Sequence, residues 1–315
     1  MTGAAVPVKA WIPQERGLSL VGEVPAGVRL EVCAAADALP SDPSDVLFWV
    51  PPFLSQGDAV ALAGKMPALR VVQLMSAGAD AWVGRLPERV TLCDARGVHD
   101  SPTAEWVLTA ILSALREFPA FARAQSRRQW SYAEHTPTDE LAGKRVLLVG
   151  AGSIGAAIAA RLEPFDVRLT RVARTARPAE GVHGVAELPA LLPDADVVVL
   201  VVPLTEATRG LVDADFLAAM PDGALLVNAA RGPVADTAAL TAELVTGRLA
   251  AAVDVTDPEP LPGDHPLWTL PNVLITPHVG GSVRGLPPRA YRLVGDQLRR
   301  FAAGEALINQ VVDGY

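Results

Sequence analysis

Cysteine is scarce in this chain, with two in 315 residues, Cys33 and Cys93. They stand far apart in apolar surroundings and no C-x-x-C pair exists. That argues against a disulfide framework or a cysteine metal site, and for buried free thiols in a reducing compartment. Positive charge is in deficit, the formal net charge being −8. A nucleic-acid partner normally needs a basic face, so none is expected. The one basic cluster, Arg123, Arg127 and Arg128, reads as the exposed face and end of a helix. Long hydrophobic runs are absent too; none approaches the roughly 20 residues that span a bilayer. The N-terminus, MTGAAVPVKAW, lacks a charged segment followed by a long apolar core, so no signal peptide is expected. Internal repeats and low-complexity segments are also missing. A soluble, cytoplasmic protein without membrane contact is the expectation.

What remains is ordinary globular material: half the residues are hydrophobic and 20% are charged. The length suffices for two domains with full cores. Residues 1–100 alternate short apolar runs with Pro/Gly-rich turns. Val46–Val50 and Leu69–Leu74 read as buried parallel strands, with helical spacing over Gly57–Lys65 between them. Ser101-Pro102-Thr103 opens the longest helix, 101–125, with Ser101 as N-cap and Pro102 at its first position. Residues 126–142 form a polar connector. From Lys144 a regular β-α alternation begins, with strands over Val146–Val149, Val167–Val172, Val197–Val202, Leu225–Asn228, Ala251–Val255 and Val273–Thr276. Six strands alternating with helices predict an open, doubly wound parallel sheet. An amphipathic helix over about Pro288–Ala303 then returns to complete the first domain. The predicted fold is therefore α/β, with two Rossmann-like or flavodoxin-like domains. One domain is 1–100 plus 282–315, and the other, 101–281, is inserted into it.

The run VLLVGAGSIG, Val146–Gly155, is the most informative stretch. A buried strand leads into Gly150, Gly152 and Gly155 at G-x-G-x-x-G spacing, and an apolar helix, Ile154–Leu162, follows. Gly150 makes the tight turn, Gly152 lets the backbone approach a pyrophosphate, and Gly155 lets helix pack on strand. Ser153 and Ile154 lie at the helix N-terminus, which presents N–H groups to the anion.

Three later segments carry candidate chemistry. LVNAARG ends a strand with Asn228 and places Arg231 just beyond it. AVDVTDPEPLP ends another at Asp254 and carries Glu259 between two prolines. ITPHVGG presents His278 after a third. Ligands of such sheets bind outside the carboxyl ends of the strands. An arginine, a carboxylate and a histidine are what carbonyl reduction by hydride transfer needs: a charge to orient the substrate, a proton donor, and a carboxylate that keeps the donor charged. Taken alone, Arg231 is equally a surface arginine in a turn. His99, His135, His183 and His265 have no such partner set.

These segments, with PLT and TRG in Pro203–Gly210 and HPLWTLPNVLITPHVGG at His265–Gly281, closely resemble the D-isomer-specific 2-hydroxyacid dehydrogenases over nearly the whole chain. The resemblance implies that Arg231, Glu259 and His278 are catalytic. It implies that the backbone of Ser76, Ala77 and Gly78 cradles the substrate carboxylate together with Arg231. It also extends the cofactor contacts to Val202, Pro203, Thr208, Ala229, Asp254, His278 and Gly280, with Asp254 at the nicotinamide carboxamide, and it implies a homodimer formed through residues 101–142. Trp130, alone in a polar stretch, reads as an interface anchor or as a lid on its own domain.

Cofactor choice is read after the second strand. NAD-preferring domains place an acid there, about 20 residues beyond the loop. Here Ala173 occupies that place, and Arg174 and Thr175 follow, with Arg177 close by. An arginine and a hydroxyl bind a 2′-phosphate, so NADP is preferred and NAD is the second choice. The other reading has Arg174 stacking on adenine or facing solvent. The expected reaction is NAD(P)H-dependent reduction of a small 2-oxoacid, of glyoxylate or hydroxypyruvate type, to the D-2-hydroxyacid in a cleft between the domains. The Pro51-Pro52-Phe53 loop is the expected pocket wall. Phosphite oxidation is the near alternative, formate oxidation a further one, and a non-enzymatic NAD(P)-sensing binding protein the alternative from another class. No metal is expected.

Overall fold

The computed structural model of the protein describes residues 8–53, 55 and 57–312. The chain divides into two compact units, Met1–His99 with Arg284–Tyr315, and Asp100–Val283. The expected junctions lay after residues 100 and 281.

The first unit opens with β1 (Val8–Ile12), α1 (Gly17–Leu20), β2 (Val28–Val32), β3 (Val46–Trp49), α2 (Gly57–Gly64), β4 (Val71–Gln73) and β5 (Thr91–Cys93). The strands form one parallel sheet in the order β2-β1-β3-β4-β5. The second unit holds α3 (Asp100–Leu115), α4 (Phe118–Ser126), β6 (Arg145–Val149), α5 (Ser153–Leu162), β7 (Arg168–Ala173), β8 (Val182–Gly184), α6 (Leu188–Leu191) and β9 (Val197–Leu200). It continues through α7 (Ala214–Ala219), β10 (Leu225–Asn228), α8 (Thr237–Val245), β11 (Ala250–Val253) and β12 (Val273–Ile275). Its sheet is parallel, with the order β12-β11-β10-β9-β6-β7-β8. The order reverses between β6 and β9, which is the topological switch point of a doubly wound sheet.

Each sheet is covered on both faces, which is why inner strands such as β3, β9 and β11 read as continuous apolar runs. In β6 the alternation sorts Leu147 and Val149 into one core and Val146 and Leu148 into the other. In β1, Trp11 enters one core, and Ala10 and Ile12 enter the other. The last helix, α9 (Leu286–Ala303), returns to the first unit. Its stripe of Leu286, Ala290, Tyr291, Val294 and Leu298 packs on the face of Ala10 and Ile12. Each large side chain so buried contributes about 1.5–3 kcal/mol. The helix starts earlier than expected because Pro287 and Pro288 occupy its first turn, where no amide donor is required.

The expected single helix over 101–125 is two helices. Inside a continuous helix, Pro119 would remove an amide donor and clash with the carbonyl of Leu115, four residues back. The chain instead breaks at Arg116-Glu117, Glu117 taking the left-handed conformation (φ 56°), and α4 restarts with Pro119 in its first turn. Ser101 is not the cap of α3, which begins one residue earlier. Its hydroxyl donates to Glu105 and accepts from Arg161. The short edge strand β8 also escaped the sequence pattern, as did β1, β2 and β5. Cys33 and Cys93 are buried free thiols, pushed up to about 11 and about 12 by burial. Among the described residues, no helix is long and apolar enough to cross a membrane.

Candidate active site

The carboxyl edge of the seven-stranded sheet gathers the predicted residues in strand order. The chain leaves β6 at Gly150, β7 at Arg174, β9 ahead of Val202 and Pro203, β10 at Ala229, β11 at Asp254 and β12 ahead of His278. Arg231, Glu259 and His278 thus follow three neighbouring strands, which at about 4.8 Å per strand span about 10 Å of edge.

The glycine loop has the geometry of an anion cradle. Gly150 adopts φ 119°, and a Cβ there would stand 2.5 Å from the carbonyl oxygen of Val201. A Cβ on Gly155 would stand 2.0 Å from the carbonyl oxygen of Gly150, so α5 sits directly on the turn. Gly152 caps α5 without a side-chain bond, and beyond its chain neighbours no atom of the described residues lies within 4 Å of where its Cβ would be. The first amides of α5, those of Ser153, Ile154 and Gly155, have no acceptor within the helix. The cradle therefore fits a dinucleotide pyrophosphate. Two residues that the motif did not single out brace it. The Ser153 hydroxyl donates to the Asp100 carboxylate (3.0 Å). The Arg177 guanidinium donates to the Ala151 carbonyl (3.1 Å) and to Glu180 (2.9 Å). Arg174 and Thr175, past the end of β7, are exposed. Beyond β9, the Thr208 hydroxyl donates to the Pro203 carbonyl (2.6 Å) and accepts the Thr205 amide (2.8 Å), which closes that loop on itself.

Arg231 is presented by a turn tied to a buried asparagine. The Asn228 side chain accepts the Ala230 amide (3.0 Å) and donates to the Arg231 carbonyl (3.2 Å), while Arg231 itself donates to the Ala230 carbonyl (2.7 Å). The next residue, Gly232, is pressed against the loop that carries Glu259. A Cβ on it would stand 1.9 Å from the Thr256 carbonyl oxygen. Thr237 adds a second tie, donating to the Asp257 carbonyl (2.7 Å).

His278 and Glu259 form a pair, with Nδ1 and Oε1 at 2.7 Å. An ionised carboxylate only accepts, so Nδ1–H donates and Nε2 is left as the working nitrogen. His278 takes a left-handed conformation (φ 55°). A β-carbon disfavours it, so the conformation persists only where its surroundings over-determine it. Asp254 does that. It is 5% exposed. Its backbone carbonyl accepts the His278 amide (2.7 Å), and its carboxylate accepts the amides of Val279 (2.8 Å) and Gly280 (2.7 Å) and the Thr276 hydroxyl (2.6 Å). Trp106 of α3 donates to the same hydroxyl (3.0 Å). Asp254, singled out for the nicotinamide, is also the residue that fixes the His278 loop, and the Gly280 amide is spent on it.

The other histidines are placed elsewhere. His183 pairs with Glu187 (2.7 Å), His265 accepts the Leu267 amide (3.3 Å), and His135 packs edge-on to Phe121. In the first unit, Ser76, Ala77 and Gly78 form the turn beyond β4, with the Ser76 hydroxyl donating to the Gly78 carbonyl (2.8 Å).

A parallel seven-stranded sheet with an anion cradle at its switch point and a His–carboxylate pair farther along the same edge defines a dinucleotide-dependent oxidoreductase. The profile of the D-isomer specific 2-hydroxyacid dehydrogenase NAD binding domain matches residues 108–280. Mouse glyoxylate reductase/hydroxypyruvate reductase is 34% identical over 254 residues, 77% of either chain. The mitochondrial formate dehydrogenase of Hordeum vulgare is 36% identical over 224 residues, 69% of this chain and 59% of the relative. The structure of a D-isomer specific 2-hydroxyacid dehydrogenase from Xanthobacter autotrophicus Py2, in complex with NADPH and MES, is 33% identical, covers 98% of each chain and superposes with a TM-score of 0.83. The chain belongs to the D-isomer specific 2-hydroxyacid dehydrogenase family of NAD(P)-dependent oxidoreductases.

Proposed function

We propose that this protein reduces a small 2-oxoacid, of glyoxylate or hydroxypyruvate type, to its D-2-hydroxyacid with NADPH. The observation that carries the reading is that Arg231, Glu259 and His278 follow three adjacent strands of one sheet, on the same edge as the glycine cradle, with His278 and Glu259 paired. The bound dinucleotide supplies the hydride. His278 Nε2 gives a proton to the carbonyl oxygen as it becomes an alkoxide, and the Glu259 carboxylate, bonded to Nδ1, holds the ring in place for that transfer. The Arg231 fork orients the carboxylate and polarises the ketone. The Ser76–Gly78 backbone is assigned the substrate carboxylate, and the amides of α5 the pyrophosphate. A panel of glyoxylate, hydroxypyruvate, larger 2-oxoacids, formate and phosphite, followed by nicotinamide absorbance, tests this. Turnover of short 2-oxoacids at the highest kcat/KM is expected. Turnover confined to formate or phosphite would replace the reading, and inactivity throughout would move it to a nucleotide-sensing binding protein.

The preference for NADPH is supported by the missing acid at Ala173 and by exposed Arg174 and Thr175 beyond β7. kcat/KM for NADPH should exceed that for NADH, and Arg174→Ala should lower the NADPH value about tenfold with little effect on NADH. Equal or better use of NADH by the wild type sinks the preference.

A homodimer is part of the same reading. The stretch from α4 onward exposes Phe118 (62%), Tyr132 (69%) and Trp130 (96%). At 96% exposure Trp130 is scarcely covered by the described residues of its own chain, which favours the anchor over the lid. A self-complementary two-fold contact would bury these rings in both copies. Trp130→Ala should shift the mass measured by light scattering toward the monomer at micromolar concentration. A wild type that is already monomeric overturns the assignment. Two buried free thiols fit the assignment to a reducing cytoplasm.

A further inference from the structure

We infer that His99 is a positioning residue that sets substrate specificity in the first unit, by fixing the Ser76–Gly78 turn and propping the Phe53 ring. The inference rests on the 2-oxoacid reading above.

Three loops leave the carboxyl ends of β3, β4 and β5, and they carry Pro51–Phe53, Met75–Gly78 and Asp94–His99 in turn. His99 closes the last of them and is 6% exposed. Its Nε2 lies 2.8 Å from the carbonyl oxygen of Met75, the residue that enters the turn. A carbonyl only accepts, so Nε2 carries the proton and donates. Neighbouring carbonyls are held as well. Ser76 accepts the Ala95 amide (2.9 Å), and Gly78 accepts the Ser76 hydroxyl (2.8 Å). This matters for an anion. If the Met75–Ser76 peptide flipped, it would aim a carbonyl oxygen at the substrate carboxylate where an amide is wanted. The His99 bond holds that peptide in one orientation.

The other contact is with Phe53. The two rings lie nearly parallel, 16° apart with centroids at 6.1 Å. His99 is buried, whereas Phe53 is 40% exposed. The imidazole therefore backs a phenyl ring whose outer surface is open. One side chain thus ties the loop after β3 to the turn after β4. The turn would grip the carboxylate that all 2-oxoacids share. Phe53 would meet the substituent by which they differ. A histidine placed only to satisfy a core would need neither contact in register with the other.

Two substitutions separate the two jobs. H99Q keeps an amide donor near the Nε2 position and loses the ring, and H99F keeps a ring and loses the donor. For H99F, KM for glyoxylate should rise at least about tenfold, with kcat within about threefold and KM for NADPH unchanged, because ground-state and transition-state binding are lost together. H99Q should restore the glyoxylate KM to within about threefold of wild type. Its preference for glyoxylate over 4-methyl-2-oxopentanoate should fall about tenfold, as it should in F53A. The imidazole 1H–15N correlation of the wild type should show His99 as the Nε2–H tautomer. If H99F does not fold, H99Q and F53A decide by the preference ratio. If the wild type reduces 2-oxoacids and the foldable variants keep KM and preference within about twofold, the role of His99 is overturned while the reading stands. If the wild type neither binds nor reduces any 2-oxoacid, both fail.

Discussion

Replacing His278 by alanine should lower kcat by about 10³-fold, while the affinity for NADPH, read by nicotinamide fluorescence, stays within about threefold of wild type. The size of the effect follows from what is removed. A positioned general acid contributes about 10²–10⁴ to the rate, and His278 is the proposed donor to the alkoxide. The loss should not spread to the dinucleotide, because the cradle is built from β6 and α5, while the His278 loop is held by Asp254. Glu259→Gln should be milder, about 10–100-fold, since a neutral amide can still orient the ring but puts no opposite charge beside it during proton transfer. The double variant should be scarcely slower than His278→Ala alone, because the carboxylate acts only through the ring that is gone. Turnover within a few-fold of wild type in His278→Ala would sink the proton-donor assignment. A double variant with fully multiplied losses would sever Glu259 from His278.

The parts of this site that a reader could find in the chain are those written as local pattern. Val146–Gly155 shows strand, glycines and helix within ten letters, and the structure draws them with the ends shifted by a residue. The runs that end near Asn228 and Val255 are buried on both faces, so hydrophobicity alone reveals them, while the run that ends near Thr276 is a half-buried edge strand whose three residues are all apolar. Short strands were harder to see. β8 has three residues, one of them glycine, and lies at the sheet edge, where burial leaves little trace in the sequence. Over 101–125 the apolar periodicity runs on past Leu115, and the penalty that divides the helix sits in one residue, Pro119. What no spacing rule could find are the ties across the fold: Trp106 to Thr276, Ser153 to Asp100, Asp254 to the His278 loop. These join residues that sequence distance separates, and each is a hydrogen bond whose partner is known only once the strands are ordered. The pairing of His278 with Glu259 is a partial exception. Both follow adjacent strands of a regular β-α alternation, so topology brings them together before any contact is seen.

Gly232→Ala should cost both stability and catalysis, although the side chain added is a single methyl group. The Cβ would stand 1.9 Å from the carbonyl oxygen of Thr256 and 2.2 Å from its carbonyl carbon, and neither backbone atom can swing aside as a flexible side chain would. The loop after β10 must then part from the loop after β11. Parting them moves Arg231, one residue before the glycine, away from Glu259, three residues beyond Thr256. Overpacking of this kind costs about 1–3 kcal/mol, which lowers the melting temperature by several degrees. A displacement of about 1 Å in a positioned group is enough to lose about 10²-fold in rate, so kcat/KM for the 2-oxoacid should fall by that order. The effect on NADPH affinity should be small, because the cradle at Gly150–Gly155 lies on the far side of β9. Gly247→Ala is the control. It has a left-handed φ of 75° but nothing within 4 Å of its Cβ, so it should lose about 1 kcal/mol of stability and no activity. Melting curves and steady-state rates on the two variants separate backbone strain from loss of the loop contact. If Gly232→Ala matches Gly247→Ala in both measurements, the two loops do not lean on each other, and the registration of Arg231 with Glu259 needs another cause.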